Sequence, residues 1–269
     1  MKRAIMSFVM VFVLMFGFCC IPKMAEGDSN LGTSGLYYSP VVGGYLVCGY
    51  EGIDADIIIP DTYIDGDVIG FVEHAFESSQ INSVTMGANI KEISDDAFWD
   101  CKLTQVKLNE GLEVLGGFRE APYLTEVTVP STVTKIDNLA FFRAIRLQNV
   151  HFEKGSQLEV IDSGAFKHCA SLQSINLEDT NLINLEAAFA NCVSIKELHL
   201  PASCTNFGGG VFEGWTSDQT IYFGCSRKSI QYINNGYLVE RNRYSESDWD
   251  SIIDNMILQG CEAKVVFPD

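Results

Sequence analysis

The chain is 269 residues long, with 47% apolar and 20% charged residues. That is the composition of a folded globular protein, and it excludes disorder and a polytopic membrane protein. The 35 acidic and 18 basic residues leave a formal charge of −17, which sets the chain against nucleic acid and anionic membrane surfaces as partners.

Lys2 and Arg3 precede an uncharged run from Ala4 to Ile21, then Pro22 and the small-x-small sequence Ala25-Glu26-Gly27. A basic start, an apolar run and a small-residue exit predict a secretory signal peptide over residues 1–27, and hence an extracellular protein, secreted or held at the cell surface. The run approaches the length of a membrane span, about 18 residues, so an uncleaved anchor is the alternative. Cys19 and Cys20 offer a lipidation site, although Phe18 is bulky where the residue before a lipidated cysteine should be small. No later run is long enough to span a membrane.

Residues 28–66 carry strand-like runs at Leu36 to Tyr38, Gly44 to Gly49 and Ala55 to Pro60, broken by Gly43-Gly44 and Gly52. They predict an N-terminal β cap. From residue 67 the chain repeats. Phenylalanine recurs at Phe76, Phe98, Phe118, Phe141, Phe166, Phe189 and Phe212, in steps of 22, 20, 23, 25, 23 and 23 residues. Alanine precedes five of them. Eight or nine residues after each Phe comes the first of two alternating apolar residues, as in Val84/Met86, Val127/Val129 and Leu198/Leu200. A second ladder, spaced by three, precedes each Phe: Ile90/Ile93, Leu112/Leu115, Val133/Ile136, Leu158/Ile161, Leu182/Leu185 and Cys204/Phe207, with Val68/Phe71 opening the series.

The alternating pair is a short strand with one buried face. One such unit cannot bury its own ridge, but stacked units share a continuous core and pair their strands in parallel, about 4.8 Å apart. The third unit is two residues short at Leu115-Gly116-Gly117-Phe118 and lacks the Ala, and the sixth is one short before Phe189, so both predict a local kink or altered curvature. After residue 226, Trp249, Ile252, Ile253, Met256 and Ile257 keep helical spacing, with Ser245 or Ser247 as N-cap and Gly260 as stop. Residues 227–269 thus predict a C-terminal cap with one amphipathic helix, and Ala263 to Phe267 a last strand.

The period and the L-x-x-V-x-L core, at Leu103 to Leu108, Leu124 to Val129 and Leu172 to Leu177, fall in the leucine-rich-repeat range. The units resemble BspA-type leucine-rich repeats in Ile93-Ser-Asp-Asp-Ala97-Phe98-Trp-Asp-Cys101 and Ile161-Asp-Ser-Gly-Ala165-Phe166-Lys-His-Cys169-Ala-Ser-Leu172. The resemblance covers about residues 57 to 226. It implies a β-rich α/β leucine-rich-repeat solenoid, with a parallel strand ladder of about seven coils. It also implies a secreted or surface protein, mostly bacterial, that binds other proteins in an adhesion-type role.

The residue between the two alternating apolar positions points away from the core. It reads Thr85, Lys107, Thr128, His151, Asn176, His199 and Tyr222. Core positions repeat while this one changes chemistry at every rung, as a recognition strip on a shared scaffold would. These seven residues are the candidate binding site for a protein partner. Seven rungs of four residues cover under about 400 Å², against about 800 Å² per partner in a stable interface, so loops must join them or binding is weak and multivalent. The competing reading is a self-associating surface component with no specific ligand.

Three residues after each Phe stand Ser79, Cys101, Ala121, Ala144, Cys169, Cys192 and Trp215, so cysteine here alternates with Ala and Ser as a small core residue. Cys204 lies in an apolar ladder and reads the same way. Secretion permits disulfides among Cys48, Cys225 and Cys261, and a Cys225–Cys261 bridge could staple the last rung to the cap helix. No C-x-x-C is present. His151 and His199 lie two rungs, or about 10 Å, apart on parallel side chains, too far to share a metal. Clustered acids such as Asp54, Asp56 and Asp61 lack calcium-loop spacing and read as a solvated face. No hydrolase, metalloprotease or nucleotide-binding motif occurs, and the chain is read as non-enzymatic, with no metal or cofactor.

Overall fold

The computed structural model describes residues 21–22, 32–93 and 96–268. The predicted signal peptide and its cleavage site lie outside the described residues, apart from Ile21–Pro22, a two-residue strand antiparallel to Tyr37–Tyr38. The chain is a stack of coils held by three hydrogen-bonded ladders, each arising from one repeated register.

The first ladder is built from the alternating V-x-L segments. Asp56–Ile58, Ser83–Thr85 and Gln105–Lys107 pair in parallel, as do Glu126–Val129, Asn149–Phe152 and Ser174–Ile175, and then Glu197–His199, Thr220–Tyr222 and Lys264–Val266. The two gaps in strand pairing fall at the coils holding Phe118 and Phe189, the two units that run short. The ladder has nine rungs. It begins one rung earlier than Val84, at Ile57-Ile58-Ile59-Pro60, and ends with Val265-Val266-Phe267-Pro268 after the cap helix.

The second ladder is continuous. Strands Glu92–Ile93, Val114–Leu115, Lys135–Ile136, Val160–Ile161, Asn184–Leu185, Asn206–Phe207 and Gln231–Asn234 pair in parallel, and Tyr237–Leu238 closes the edge antiparallel. From Val114–Leu115 to Asn206–Phe207 each two-residue strand buries its second residue and leaves the first half-buried, as period-2 alternation requires.

The third ladder runs through the Phe turns. Phe76, Phe98, Phe118, Phe141 and Phe166 donate their N–H to the residue before the next Phe, at 2.7–3.0 Å. The residue two after each Phe donates in the same way: Asp100 to Arg119, Glu120 to Phe142, His168 to Ala190 and Asn191 to Glu213. That geometry needs a left-handed residue. Ser78, Asp100, Glu120, Arg143, His168 and Asn191 all have φ between 50° and 63°, and Gly214 has φ 80°. The left-handed conformation costs a non-glycine residue about 1–2 kcal/mol, and here it delivers a backbone donor to the neighbouring coil. In the short third coil Gly117, with φ 84°, takes the tight turn that replaces the missing residues.

Inside, Phe76, Phe98, Phe118, Phe141, Phe166 and Phe189 stack one over the next with centroids 5.0–5.6 Å apart and planes within 4–6° of parallel. All are buried. The offset-parallel spacing equals the rise per coil, so one residue type at one register builds the spine of the core. The stack ends at Phe212, which turns edge-on to Trp215 at 5.4 Å and 72°.

Both ends are closed. At the start, Leu36–Val41 and Gly44–Tyr50 form an antiparallel hairpin around Gly43-Gly44, and Gly44–Tyr50 runs parallel to Gly66–Phe71. At the other end, helix Glu246–Ile252 starts at Ser245, whose hydroxyl accepts from the Asp248 N–H while the Asp248 carboxylate accepts from the Ser245 N–H. The helix widens into a π turn over Ile253–Ile257 and stops at Gly260, φ 66°. Trp249, Ile253 and Ile257 are buried, whereas Met256 is 43% exposed. Met256 and Gly260 offer their carbonyls to the Gly210 and Gly214 N–H groups, so the cap helix takes the place of the next coil in the third ladder.

The cysteines resolve chemically. Cys101, Cys169, Cys192 and Cys204 are buried free thiols. Cys169 donates to the Phe141 carbonyl at 3.0 Å and Cys192 to the Phe166 carbonyl at 3.1 Å. Trp215, the one large residue at this register, points its indole N–H at the Phe189 carbonyl at 2.8 Å. Three of the seven residues at this register thus donate to the Phe carbonyl of the preceding coil. Cys225 and Cys261 are both free, so the bridge envisaged from sequence does not form. The reason is register. Thr220 pairs with Lys264 and Tyr222 with Val266, which puts Cys225 past one end of the rung and Cys261 before the other. A disulfide needs Cα atoms within about 7 Å. Cys48, in the N-terminal cap, is disulfide-bonded.

Candidate functional site

The first ladder presents an outward face two side chains wide. Its inner row is Ile58, Thr85, Lys107, Thr128, His151, Asn176, His199, Tyr222 and Val266, and its outer row runs from Asp56 through Gln105, Glu126, Asn149 and Glu197 to Lys264. All seven residues singled out from sequence lie on this face, and parallel pairing sets Thr85 beside Lys107, Thr128 beside His151 and His199 beside Tyr222. Ile58 and Val266 belong to the same row. Their signal was present in the terminal copies of the V-x-L-P pattern, Ile57 to Pro60 and Val265 to Pro268, which stand apart from any Phe turn.

The row divides by what its side chains do. Lys107, Thr128 and His151 are exposed, and among the described residues no side-chain hydrogen bond or ion pair holds them. Gln105, Glu126 and Asn149 flank them in the same state. This central group is available for contact without any loss of internal bonding. Asn176 differs. Its amide accepts from the Phe152 N–H at 2.8 Å and donates to the Phe152 carbonyl at 3.0 Å, so it extends the pairing of Ser174–Ile175 with Asn149–Phe152 by one side-chain rung. Near the far end, the His199 and Tyr222 rings stack at 4.4 Å with planes 3° apart, and Glu197 lies 3.7 Å from His199 Nε2. At the near end, Ser83 donates to Asp56 at 2.6 Å.

The turn that feeds each strand adds an apolar border. Tyr123, Ile145 and Val193 are 38%, 51% and 48% exposed, and the Arg146 guanidinium lies 5.1 Å from the Tyr123 ring. These residues stand three or four positions before the strands and extend the face sideways.

The other ladders carry structural chemistry. On the second, Lys135 Nζ lies 2.8 Å from Asp137 and 3.0 Å from Asp162. Burial opposes the Lys135 charge, yet the two carboxylates hold its pKa above the usual lysine value. Burial lifts the neighbouring Glu186, and Asp162 adds to the effect. Asn206 donates to Asn184 on the adjacent rung at 2.7 Å. Along the third, Arg119 lies 5.5 Å from the Trp99 ring and 5.8 Å from the Phe142 ring, with Asp96 at 3.2 Å. Among the described residues, no helix is long and apolar enough to cross a membrane.

No curated protein matches the chain. A leucine-rich repeat protein of Bacteroides capillosus is 26% identical, covering 48% of this chain and 99% of its own, at a TM-score of 0.40. The T. pallidum leucine-rich repeat protein TpLRR is 17% identical, covering 91% of this chain and 100% of its own, at 0.44. The pneumococcal vaccine antigen PcpA is 14% identical, covering 93% and 99%, at 0.43. Residues 56–152 and 116–236 match the BspA type leucine rich repeat region, so the chain belongs to the BspA-type leucine-rich repeat family.

Proposed function

We propose that the protein is a secreted or cell-surface recognition module that grips a protein partner with the outward face of its first ladder. The observation that carries this reading is the central group, Gln105 to His151. Six exposed side chains of mixed chemistry stand on successive rungs, and among the described residues none of them makes a side-chain hydrogen bond or close ion pair. Repeat solenoids present such rows to partners because each rung can vary without disturbing the core.

Area bears on how binding works. Nine rungs give a strip about 38 Å long and 13 Å wide, roughly 500 Å², still below the 800 Å² or so that each partner contributes to a stable interface. The border of Tyr123, Ile145, Arg146 and Val193 supplies the remainder, with an aromatic and an arginine of the kind that anchor interfaces. Adhesion follows if such moderate contacts are repeated across a surface.

The test is capture of surface-protein extracts on the immobilised chain, run beside two variants. One changes Lys107, His151, His199 and Tyr222 to Ser, the other Tyr123 and Ile145 to Ser. The expected result is a partner held by the native chain, lost from the first variant and weakened tenfold or more by the second. Equal retention by all three places the contact away from this face and defeats the proposal.

A further inference from the structure

We propose that the partner of the recognition face docks through an acidic segment, received by a sector of the surface that carries no carboxylate of its own. This inference rests on the recognition reading and names the chemistry of the partner.

The sector belongs to the coils holding Phe141, Phe166 and Phe189. Each coil runs from its Phe turn, through the next turn, to a strand of the first ladder. Residues 138–152, 163–177 and 187–196 cover that path. They contain Arg143, Arg146, Lys167 and Lys196 but no aspartate or glutamate. At the chain's mean acid content about five would fall there. The same coils do carry acids, on their other side. Glu153, Glu159, Asp162, Glu178, Asp179 and Glu186 all lie along the second ladder or at the corner that leads to it.

Hydrogen bonds set the three paths side by side. Arg143 donates its N–H to the Lys167 carbonyl at 3.0 Å, His168 to Ala190 at 2.9 Å and Gln173 to Gln148 at 2.8 Å. The Ser194 hydroxyl reaches the Ala170 carbonyl at 2.6 Å. At about 4.8 Å per coil the sector spans roughly 14 Å of the stack.

Its cations are largely unspent. Among the described residues, Arg146 and Lys167 make no side-chain hydrogen bond or ion pair, and the Arg146 guanidinium rests 5.1 Å from the Tyr123 ring. Arg143 lies 5.6 Å from the Phe142 ring, and its one carboxylate neighbour, the exposed Glu120, is 3.7 Å away. Lys196 is the exception, taken up by Asp218. Burial first, then Lys167 and Arg143, lower the His168 pKa while Glu213 alone opposes them, so the cations outweigh the carboxylate around it.

A chain of net charge −17 repels anions over most of its surface, and this sector is where one is admitted. Three features select an acidic protein segment over a polyanion. The sector is short, so a long anionic polymer laid across it runs onto Glu120 and Glu126 on one side and Glu213 and Asp218 on the other. Ile145 and Val193, 51% and 48% exposed, stand among the cations and match aliphatic side chains, which nucleic acid and polysaccharide lack. Gln148 and Gln173, both exposed, offer amides that pair with a peptide backbone.

Fluorescence anisotropy tests this with three labelled probes: a short peptide of Glu, Asp and Leu, its counterpart with Lys for every acid, and a heparin oligosaccharide. The expected result is that the acidic peptide binds at low salt and the other two do not. Raising salt to about 1 M, where the Debye length is about 3 Å, should weaken it tenfold or more. Arg143→Glu with Arg146→Glu and Lys167→Glu should abolish binding. Charge reversal at Lys91, Lys228 and Arg243 should leave it unchanged. Glu120→Gln with Glu126→Gln should tighten it severalfold, a gain that misfolding cannot produce. An acidic peptide that does not bind the folded chain, heparin that binds as well or better, or equal losses from the two sets of reversals overturns the proposal. Capture from surface-protein extracts separates it from the recognition reading. A partner held equally by the native chain and by the Arg143, Arg146 and Lys167 variant refutes the acidic segment and leaves a recognition module standing.

Discussion

The position three residues after each Phe shows how one register sets several constraints at once. It is small in every coil but the last, because a neighbouring coil lies about 5 Å away, and it gains from a donor, because the preceding Phe carbonyl faces it. Cys169, Cys192 and Trp215 meet the second need in different ways. The first need was legible from sequence, since Cys, Ala and Ser share the register. The second was not, because a thiol and a methyl look alike as small hydrophobes until the carbonyl beyond them is placed. Burial pushes Cys192 up to about 12, and Cys169 and Cys204 well above the usual thiol value. In the unfolded chain these thiols ionise near pH 9, while in the core they keep their protons. The folded state then binds more protons, so stability is full below pH 9 and falls as pH rises above it, by up to about 1.4 kcal/mol per pH unit for each thiol. Urea unfolding at a series of pH values should show this decline, and replacing the three cysteines by Ala should flatten it. An unchanged slope in that variant would assign the decline to other groups. Among the six free cysteines of the described residues, only Cys261 is partly exposed, so it should be the first to react with a thiol reagent in the native protein.

At the scale of the coil, the informative feature is the left-handed residue two positions after each Phe. The sequence places Ser78, Asp100, Glu120, Arg143, His168 and Asn191 at one register without any shared side-chain property, which hid the conformational demand. Only Gly214 at the seventh copy hints at it. The hydrophobic ladders were legible because burial selects residue type, whereas a backbone angle imposed by interlocking hydrogen bonds does not. A direct consequence concerns Glu120, at φ 53°. Its N–H bond to the Phe142 carbonyl survives substitution, and its ion pair with Arg143, at 3.7 Å, is too exposed to contribute much. Glu120→Gly relieves about 1–2 kcal/mol of left-handed strain and adds about 0.5–1 kcal/mol of unfolded-state entropy. The net expectation is a gain of up to about 1.5 kcal/mol in urea unfolding. A loss of that size, the usual result for glycine inside regular structure, would show that the turn carries no strain. The coils that break the first ladder tell a related story. Their shortness was visible in the spacing before Phe118 and Phe189, but not that Asn176, on the strand before the second gap, would turn its amide back onto Phe152. That engagement separates it from Lys107, Thr128 and His151, with which its register grouped it.

Over the whole molecule, each coil touches only its neighbours, so the stack is as secure as its ends. The finishing cap concentrates its hold in one residue. Trp249 is buried, its indole N–H reaches the Ile230 carbonyl at 3.1 Å, and its ring lies 5.7 Å from Tyr244 and 6.0 Å from the Arg241 guanidinium. From there the helix carries Ile253 and Ile257 onto the last Phe turn and delivers Lys264–Val266 to the first ladder as its ninth rung. Trp249→Ala should cost about 3–5 kcal/mol locally, as large-to-small changes of buried aromatics do. In a two-sided globular core that loss would lower protection everywhere. In a nearest-neighbour stack it is felt first at the exposed end and fades inward. Native-state hydrogen exchange should therefore show faster opening of the Tyr222, Phe223 and Leu200 amides, with Phe118, Phe141 and Phe166 keeping their native protection until global unfolding. A uniform drop along all three ladders would mean that the coils unfold as a single cooperative unit, and that the caps act on the whole stack rather than on the rungs they cover.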